Sequence, residues 1–400
     1  MNSKHKHKIV IIGGGYAGLI AALRLAGKAA NNAEITLINA RAGFVQRIRN
    51  HQVAAQQPVQ QHSIPKLLGR RPVRFVQGRV TALDLARHTA TVDNGEIFAY
   101  DKLLYALGSV AAKPDIPGVR EHAYGIGNIE EAEALHTRMG SLSAGAEMVV
   151  IGGGLTGIET ATELAESRPD LRVKLVTDGV VGPSLSERGR AYIRQVFADL
   201  NLGSLEHTRV QKIEAGQLFT NAGRRLPFDI AIWAGSFGVP SLAREAGLDV
   251  NASGRVRVDS QLRSISHPDV YAVGDSSIFA DRTPLRMACA TAFSTGAHAA
   301  DNLLAWIAGK PQQPFSLHYG GTCISLGRKR GLLQFTNKDD ISQERIITGF
   351  AAKVIKESIC RGTIWGLKLE RTWPGAVTWP GKDSPPAEQN PQQAMQIESV

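Results

Sequence analysis

Two stretches decide the fold: Lys8–Gly27, KIVIIGGGYAGLIAALRLAG, and Glu147–Glu166, EMVVIGGGLTGIETATELAE. Each opens with a β-branched run suited to a strand buried on both faces, passes through a Gly-x-Gly-x-x-Gly turn and continues as a helix of small residues. A second apolar strand follows in both, Glu34–Asn39 (EITLIN) and Arg172–Thr177 (RVKLVT). A βαβ unit that occurs twice predicts an α/β fold with two Rossmann-like nucleotide-binding domains, each a doubly wound parallel sheet.

Outward from these units, Ala90–Gly108 reads as a hairpin, turning at Asp93–Asn94–Gly95, that leads into a strand. Phe228–Ser236 reads as another strand, Val256–Ser277 returns a strand to a Gly-Asp turn, and Met287–Gly309 reads as a long helix of small residues. Together they predict a discontinuous first domain, residues 1–112 and 250–310, with the second, residues 113–249, inserted between its halves. Residues 311–380 form a small α+β region, with strands at GTCISLG and RGLLQF and a mixed stretch to Trp379. Residues 381–400 are rich in Pro, Gln, Glu and Ser and are expected to be a disordered tail.

The glycines carry the chemistry. The first of each motif, Gly13 or Gly152, allows the tight turn. The second, Gly15 or Gly154, lets backbone N–H groups approach a pyrophosphate. The third, Gly18 or Gly157, lets the helix pack close to the strand. The helix N-terminus adds a partial positive charge. Two ordinary glycine turns would not need a strand before and a helix after each.

At the end of the second strand a carboxylate is expected to hold the adenosine ribose. Asn39 stands there instead, followed by Ala40 and Arg41, and its amide still donates and accepts hydrogen bonds. In the second unit Thr177 holds that place and Asp178 follows, with no arginine before Arg188. This favours NADH over NADPH and leaves NADPH open. Glu159 and Glu163 lie one turn apart on the second helix. Both read as surface carboxylates unless Glu159, in the first turn beside the nucleotide, belongs to the site.

At ~150 residues per domain, 400 residues suffice for two or three domains. A net charge of +10 raises nucleic acid or an anionic membrane as partners. The basic clusters Arg70–Arg71, Arg224–Arg225 and Arg328–Lys329–Arg330 are short and scattered, however, and no nucleic-acid-binding motif accompanies them. The charge therefore reads as a solvated surface with a field that attracts anionic dinucleotides; peripheral membrane contact is left open. Lys4, Lys6 and Lys8 before an apolar run imitate a signal peptide, but Gly13, Gly14, Gly15 and Gly18 interrupt it. No run approaches ~20 apolar residues, so no transmembrane helix and a cytoplasmic location are expected. Cys289, Cys323 and Cys360 form no CxxC or CxxxxC pair, which argues against a metal site and a redox-active disulfide.

The paired motifs, with Ala106–Leu107–Gly108, Trp233–Ala234–Gly235 and VYAVGD (Val270–Asp275), resemble the two-dinucleotide flavoprotein family. Within it the chain looks like the type II NADH dehydrogenases and apoptosis-inducing-factor-like reductases, over roughly Lys8 to Gly309. The resemblance implies FAD on the first motif, including Ala17, and NADH on the second, with Gly235 beside it. It further implies Gly274 and Asp275 at the ribityl and pyrophosphate part of FAD, Ala106 and Gly108 lining that site, and Val80 at the adenine. Glu159 would lie between nicotinamide and flavin as the catalytic carboxylate. The chain departs from the quinone-reducing members at Ala290 and Ser294, where they carry glutamines, and no amphipathic anchor is evident after Trp379. Cys289, near the implied flavin, reads as a small buried hydrophobe.

The expected activity is that of an FAD-dependent oxidoreductase, taking a hydride from NAD(P)H to flavin N5 and passing electrons to a small-molecule acceptor, a quinone or another carrier. Two other readings stay open: a redox-sensing protein that holds FAD and NADH, and a biosynthetic flavoenzyme acting on an organic substrate.

Overall fold

The computed structural model describes residues 6–29, 31–112, 114–235 and 237–382. The elements that position the site, in chain order, begin with β1 (His7–Ile12), α1 (Tyr16–Lys28), β2 (Ala33–Asn39), α2 (Asn50–Ala54), β3 (Val73–Gln77) and β4 (Lys102–Tyr105). They continue with β5 (Ala123–Gly125), β6 (Glu147–Ile151), α3 (Leu155–Ser167), β7 (Arg172–Val176), β8 (Gly203–Leu205), β9 (Ile230–Trp233) and β10 (Val270–Ala272). The last are α4 (Cys289–Ile307), β11 (Gly321–Leu326), β12 (Arg330–Thr336), β13 (Ser342–Thr348) and α5 (Gly349–Thr372).

Two five-stranded parallel sheets result. The first runs β10-β4-β1-β2-β3, the second β5-β9-β6-β7-β8. In each, the strand before the glycine turn sits at the centre. Ile9 and Val10 of β1 face Ile35 and Thr36 of β2, and Met148 and Val150 of β6 face Val173 and Leu175 of β7. In the central strands β1 and β6, Ile9, Val10, Ile11, Ile12, Val149, Val150 and Ile151 are buried on both faces, as a parallel sheet covered by helices requires. Strand β10, from far along the chain, closes the edge of the first sheet against β4, with Val270 opposite Leu103.

The hairpin turning at Asp93–Asn94–Gly95 is present, with Thr91 opposite Ile97 and Gly95 at φ +85°. The long small-residue helix is α4, packed along α1. The two expected C-terminal strands form a three-stranded antiparallel sheet with β13. The stretch read as mixed is mostly the 24-residue helix α5. Its inner face buries Ala352, Cys360, Ile364 and Leu367, whereas Phe350, Val354, Ile359 and Trp365 are exposed. Apolar residues on both faces, with Gly362 and Gly366 among them, blur the period that marks an amphipathic helix. Nearly all of the expected tail, 383–400, lies outside the described residues. Among the described residues no helix is long and apolar enough to cross a membrane.

Candidate functional site

The two glycine turns are geometric copies. Gly13 and Gly152 hold φ of +102° and +126°, and a Cβ there would meet the carbonyl oxygens of Ala106 at 2.3 Å and Ala234 at 2.8 Å. At Gly18 and Gly157 a Cβ would lie 1.9 Å from the carbonyl oxygens of Gly13 and Gly152, so α1 and α3 approach their turns as closely as backbone permits. The middle glycines differ. Gly15 (φ −76°, ψ −164°) and Gly154 (φ −71°, ψ 177°) have backbones any residue adopts, and a Cβ there meets nothing within 4 Å. Nothing in the chain itself requires glycine at either. A group from outside that must come close to the backbone does, at the N-terminal end of a helix, and that fits a dinucleotide pyrophosphate.

A cavity of about 320 Å³ opens at the first turn. Gly13, Gly15, Ala17, Asn39, Ala106, Gly108, Gly274 and Asp275, all named from sequence, line it, and so does Glu159 of the second unit. Gly18 serves packing. Val80 lies on a strand packed against the core and is outside this lining. Asn39 braces the turn: its Oδ1 accepts from Gly14 N at 2.8 Å and its Nδ2 donates to the Arg41 carbonyl at 2.8 Å. One acceptor site and one N–H of the amide remain for a ligand.

Arg47 was not foreseen. Its Nη1 donates to Ser109 Oγ at 2.8 Å, and Ser109 Oγ donates to Asp275 Oδ2 at 2.6 Å. The guanidinium lies 3.8 Å from that carboxylate. Burial pulls the Arg47 pKa down and Asp275 partly restores it. No spacing rule links positions 47, 109 and 275; only the fold joins them.

Glu159 sits on the far wall. Its Oε1 accepts from Lys356 Nζ at 2.8 Å, from the backbone N–H of Ser325 at 3.0 Å and from Ser325 Oγ at 3.2 Å. Burial, the largest single influence, would raise its pKa, but Lys356, His51 and the Ser325 N–H together outweigh it and hold the carboxyl below the usual range. Burial likewise opposes the charge on Lys356, but Glu159, Cys360 and Cys323 together outweigh it, so the lysine stands above its ordinary value. His51, 3.2 Å from Ser325 Oγ, is pushed by burial down to about 4 and is neutral at neutral pH. The single Ser325 hydroxyl proton goes to the carboxylate, which leaves His51 Nε2–H to donate to Ser325. The site thus holds an ionised, oriented carboxylate facing an ammonium.

Glu163, one turn further on, is fully buried. Neither of its oxygens has a hydrogen-bond partner among the described residues, and burial raises its pKa to about 7. The surface-carboxylate reading of this helix face is therefore wrong: the C-terminal sheet and α5 cover it, which the sequence of α3 alone does not reveal.

Gly152, Gly154 and Gly157 form the second turn, with Thr177 at the end of β7 beside Gly153. Asp178 is exposed, and Arg209 Nε lies 3.8 Å from its carboxylate. An arginine does therefore stand at this strand end, from the loop after the neighbouring strand β8, beyond the stretch before Arg188. At Gly235 a Cβ would strike the Trp233 ring at 2.7 Å, so this glycine serves the packing of that indole.

Cys289 lines the first cavity. Burial raises the pKa of Cys289, Cys323 and Cys360, the second to about 11, which keeps all three as thiols at neutral pH. Ser294 Oγ donates to the Ala290 carbonyl at 2.9 Å, within its own helix.

Residues 7–296 match the model of the pyridine nucleotide-disulphide oxidoreductase family. A NADH dehydrogenase-like protein of Mycobacterium tuberculosis is 27% identical over 376 residues, covering 88% of this chain and 92% of that protein. A type II NADH:quinone oxidoreductase of Staphylococcus epidermidis is 26% identical over 398 residues, covering 91% and 97%. In fold the chain is similar to the sulfide:quinone oxidoreductase of Aquifex aeolicus, with a TM-score of 0.78 at 19% identity over 96% of this chain and 100% of the other.

Proposed function

The chain belongs to the pyridine nucleotide-disulphide oxidoreductase family, and from that premise we propose that it is an FAD-dependent NADH dehydrogenase that delivers electrons to a small-molecule acceptor. One observation carries the reading. A single cavity is walled by the first turns of both motif helices, Tyr16 and Ala17 of α1 and Thr156 and Glu159 of α3, so two nucleotides seated on the two turns meet there. Residues 1–112 and 250–310 form the FAD unit and 113–249 the NADH unit.

FAD, when bound, would supply the two-electron chemistry that links a hydride from the nicotinamide to the acceptor. The chain's residues bind and orient. Gly13 and Gly15 at the N-terminal end of α1 would hold the FAD pyrophosphate, with Gly18 letting α1 pack close to the turn; Asp275, Arg47 and Ser109 would bracket its ribityl side, with Ala106, Gly108 and Gly274 lining the seat. Gly152, Gly154 and Gly157 hold the NADH pyrophosphate, with Asp178 at the ribose and Gly235 at the strand end. Glu159, fixed by Lys356 and Ser325, faces the meeting point as a carboxylate. Positioning two rings at near-attack distance can supply about 7–11 kcal/mol of the barrier of such a transfer. For the acceptor, Ala290 and Ser294 offer a quinone headgroup no amide, and Ser294 is occupied within its helix.

The test is anaerobic titration of the purified protein with NADH. A yellow protein whose flavin absorbance bleaches, and whose FAD is released by acid, supports the reading. Colourless protein that cannot be reconstituted with FAD sinks it.

A further inference from the structure

A second cavity, of about 500 Å³, lies on the other side of the wall that encloses the first. The wall is one residue thick. Along residues 46–52, Arg47, Ile48, Asn50 and His51 face the nucleotide cavity, while Gln46, Arg49 and Gln52 face the second. On α5, Lys356 faces the first and Glu357 the second.

The charge in this second cavity is lopsided. Arg49, Arg328, Arg361 and Lys368 line it against one carboxylate, Glu357, a surplus of three positive charges. Glu357 is fully engaged: Arg49 Nη2 lies 2.8 Å away, Arg361 Nε 2.9 Å and Arg328 Nη2 3.5 Å. Despite partial burial, these cations hold its pKa down to about 2. Lys368 has no carboxylate within 4 Å among the described residues. Burial and the Lys368 charge lower the pKa of His62. Ile364 and the 71%-exposed indole of Trp365 supply an apolar wall. Concave volume, a flat aromatic and surplus cations together select a small anion with an aromatic body.

Resting on the function proposed above, we infer that this cavity seats the electron acceptor, and that the acceptor is an anionic aromatic molecule of the sulfonated or carboxylated quinone type. The balance is NADH + H⁺ + A → NAD⁺ + AH₂: two electrons from NADH reach the acceptor, which takes two protons from water in its own cavity, while the proton left by NADH returns to water from the first. The acceptor need not enter the nucleotide cavity, because electrons have only the packed wall to cross.

The binding test uses naphthalene-2-sulfonate, which accepts no electrons, and reads tryptophan fluorescence of the full chain with FAD bound. Saturable quenching is expected, absent in Trp365→Phe, with binding weakened about tenfold in Lys368→Gln and further in Lys368→Glu, and with a strong salt dependence. Neutral 2-naphthalenemethanol serves as the comparison. Equal quenching by both, or none below millimolar concentration, overturns the inference. Quenching by anionic phospholipid vesicles but not by the sulfonate also overturns it, and assigns the cations to a membrane surface instead.

The kinetic test compares 1,2-naphthoquinone-4-sulfonate with unsulfonated 1,2-naphthoquinone. The ratio of their kcat/KM values should fall about tenfold in the double variant Arg361→Gln, Lys368→Gln, both exposed positions. An unchanged ratio in a protein whose flavin NADH still bleaches defeats this inference alone. Failure of NADH to bleach the flavin defeats the function proposed above.

Discussion

The two βαβ units build the same backbone and then part at the helix that follows. From Tyr16 through Ala26 every residue of α1 is buried. Its one buried charge, Arg24, is closed off by Glu370 at 2.7 Å and Asp301 at 2.9 Å. Helix α3 instead turns Glu159, Glu163 and Glu166 toward the C-terminal region, where Lys356 pairs with the first, Arg328 lies 3.9 Å from the second and the Arg328 backbone N–H bonds the third. One helix is a fixed mount and the other a titratable face. A duplicated motif therefore foretells two cradles, and the residues beyond the motif decide which cradle is reactive.

The largest expected effect breaks the mount. Arg24→Met leaves Glu370 buried without its cation, and the loss of stability is about 3–5 kcal/mol, read by chemical denaturation. Adding Glu370→Leu should restore much of it. A single-variant loss under about 1 kcal/mol would show that the buried cluster does not hold α1.

Next comes the titratable face. The folded pKa of Glu163, about 7, stands above its unfolded value near 4.5. The folded state therefore binds the proton more tightly. The stabilisation is fully present below about pH 4.5 and is lost as pH rises through 7, on the order of 3 kcal/mol in all. Glu163→Gln, which cannot ionise, should flatten that part of the stability profile between pH 5 and 8. Identical profiles in both proteins would mean that this carboxyl is not the group that titrates.

Reciprocal glycine variants test the assignment of the cradles. Gly154→Val should cut NADH-driven flavin bleaching about a hundredfold, or ~2.7 kcal/mol, while FAD stays bound. Gly15→Val should release FAD. Both side chains enter space the chain leaves open, so both variants should fold. The opposite pattern would exchange the two nucleotides.

The smallest effect is at Asp178. With Asp178→Ser, Arg209 is free to meet a 2′-phosphate, and the NADPH-to-NADH ratio of kcat/KM should rise about tenfold, ~1.4 kcal/mol. A ratio that does not move places the adenosine ribose elsewhere.

Both sheets and the cradles were legible because glycine spacing and β-branched runs are local signals. Eight of the FAD positions named from spacing and resemblance share one cavity. Arg47, Ser109, Ser325 and Lys356 were not legible, since each reaches the site from a distant segment and a lone Arg, Ser or Lys carries no spacing to read. Arg209 escaped for the same reason: it meets Asp178 from the loop after β8, so the end of β7 does carry an arginine. Helix α5 was missed because exposed Trp365 and Phe350 interrupt the polar face by which a helix is recognised.

The Arg24–Glu370 pair also sets a schedule. The partners lie 346 residues apart. At about 5–20 residues per second of synthesis, Arg24 emerges roughly 17–70 s before the carboxylate that neutralises it. Strand β10, which closes the first sheet, is also late in the chain. The first cradle to be synthesised is thus among the last parts to be completed, and until α5 arrives Arg24 has no Glu370 to neutralise it.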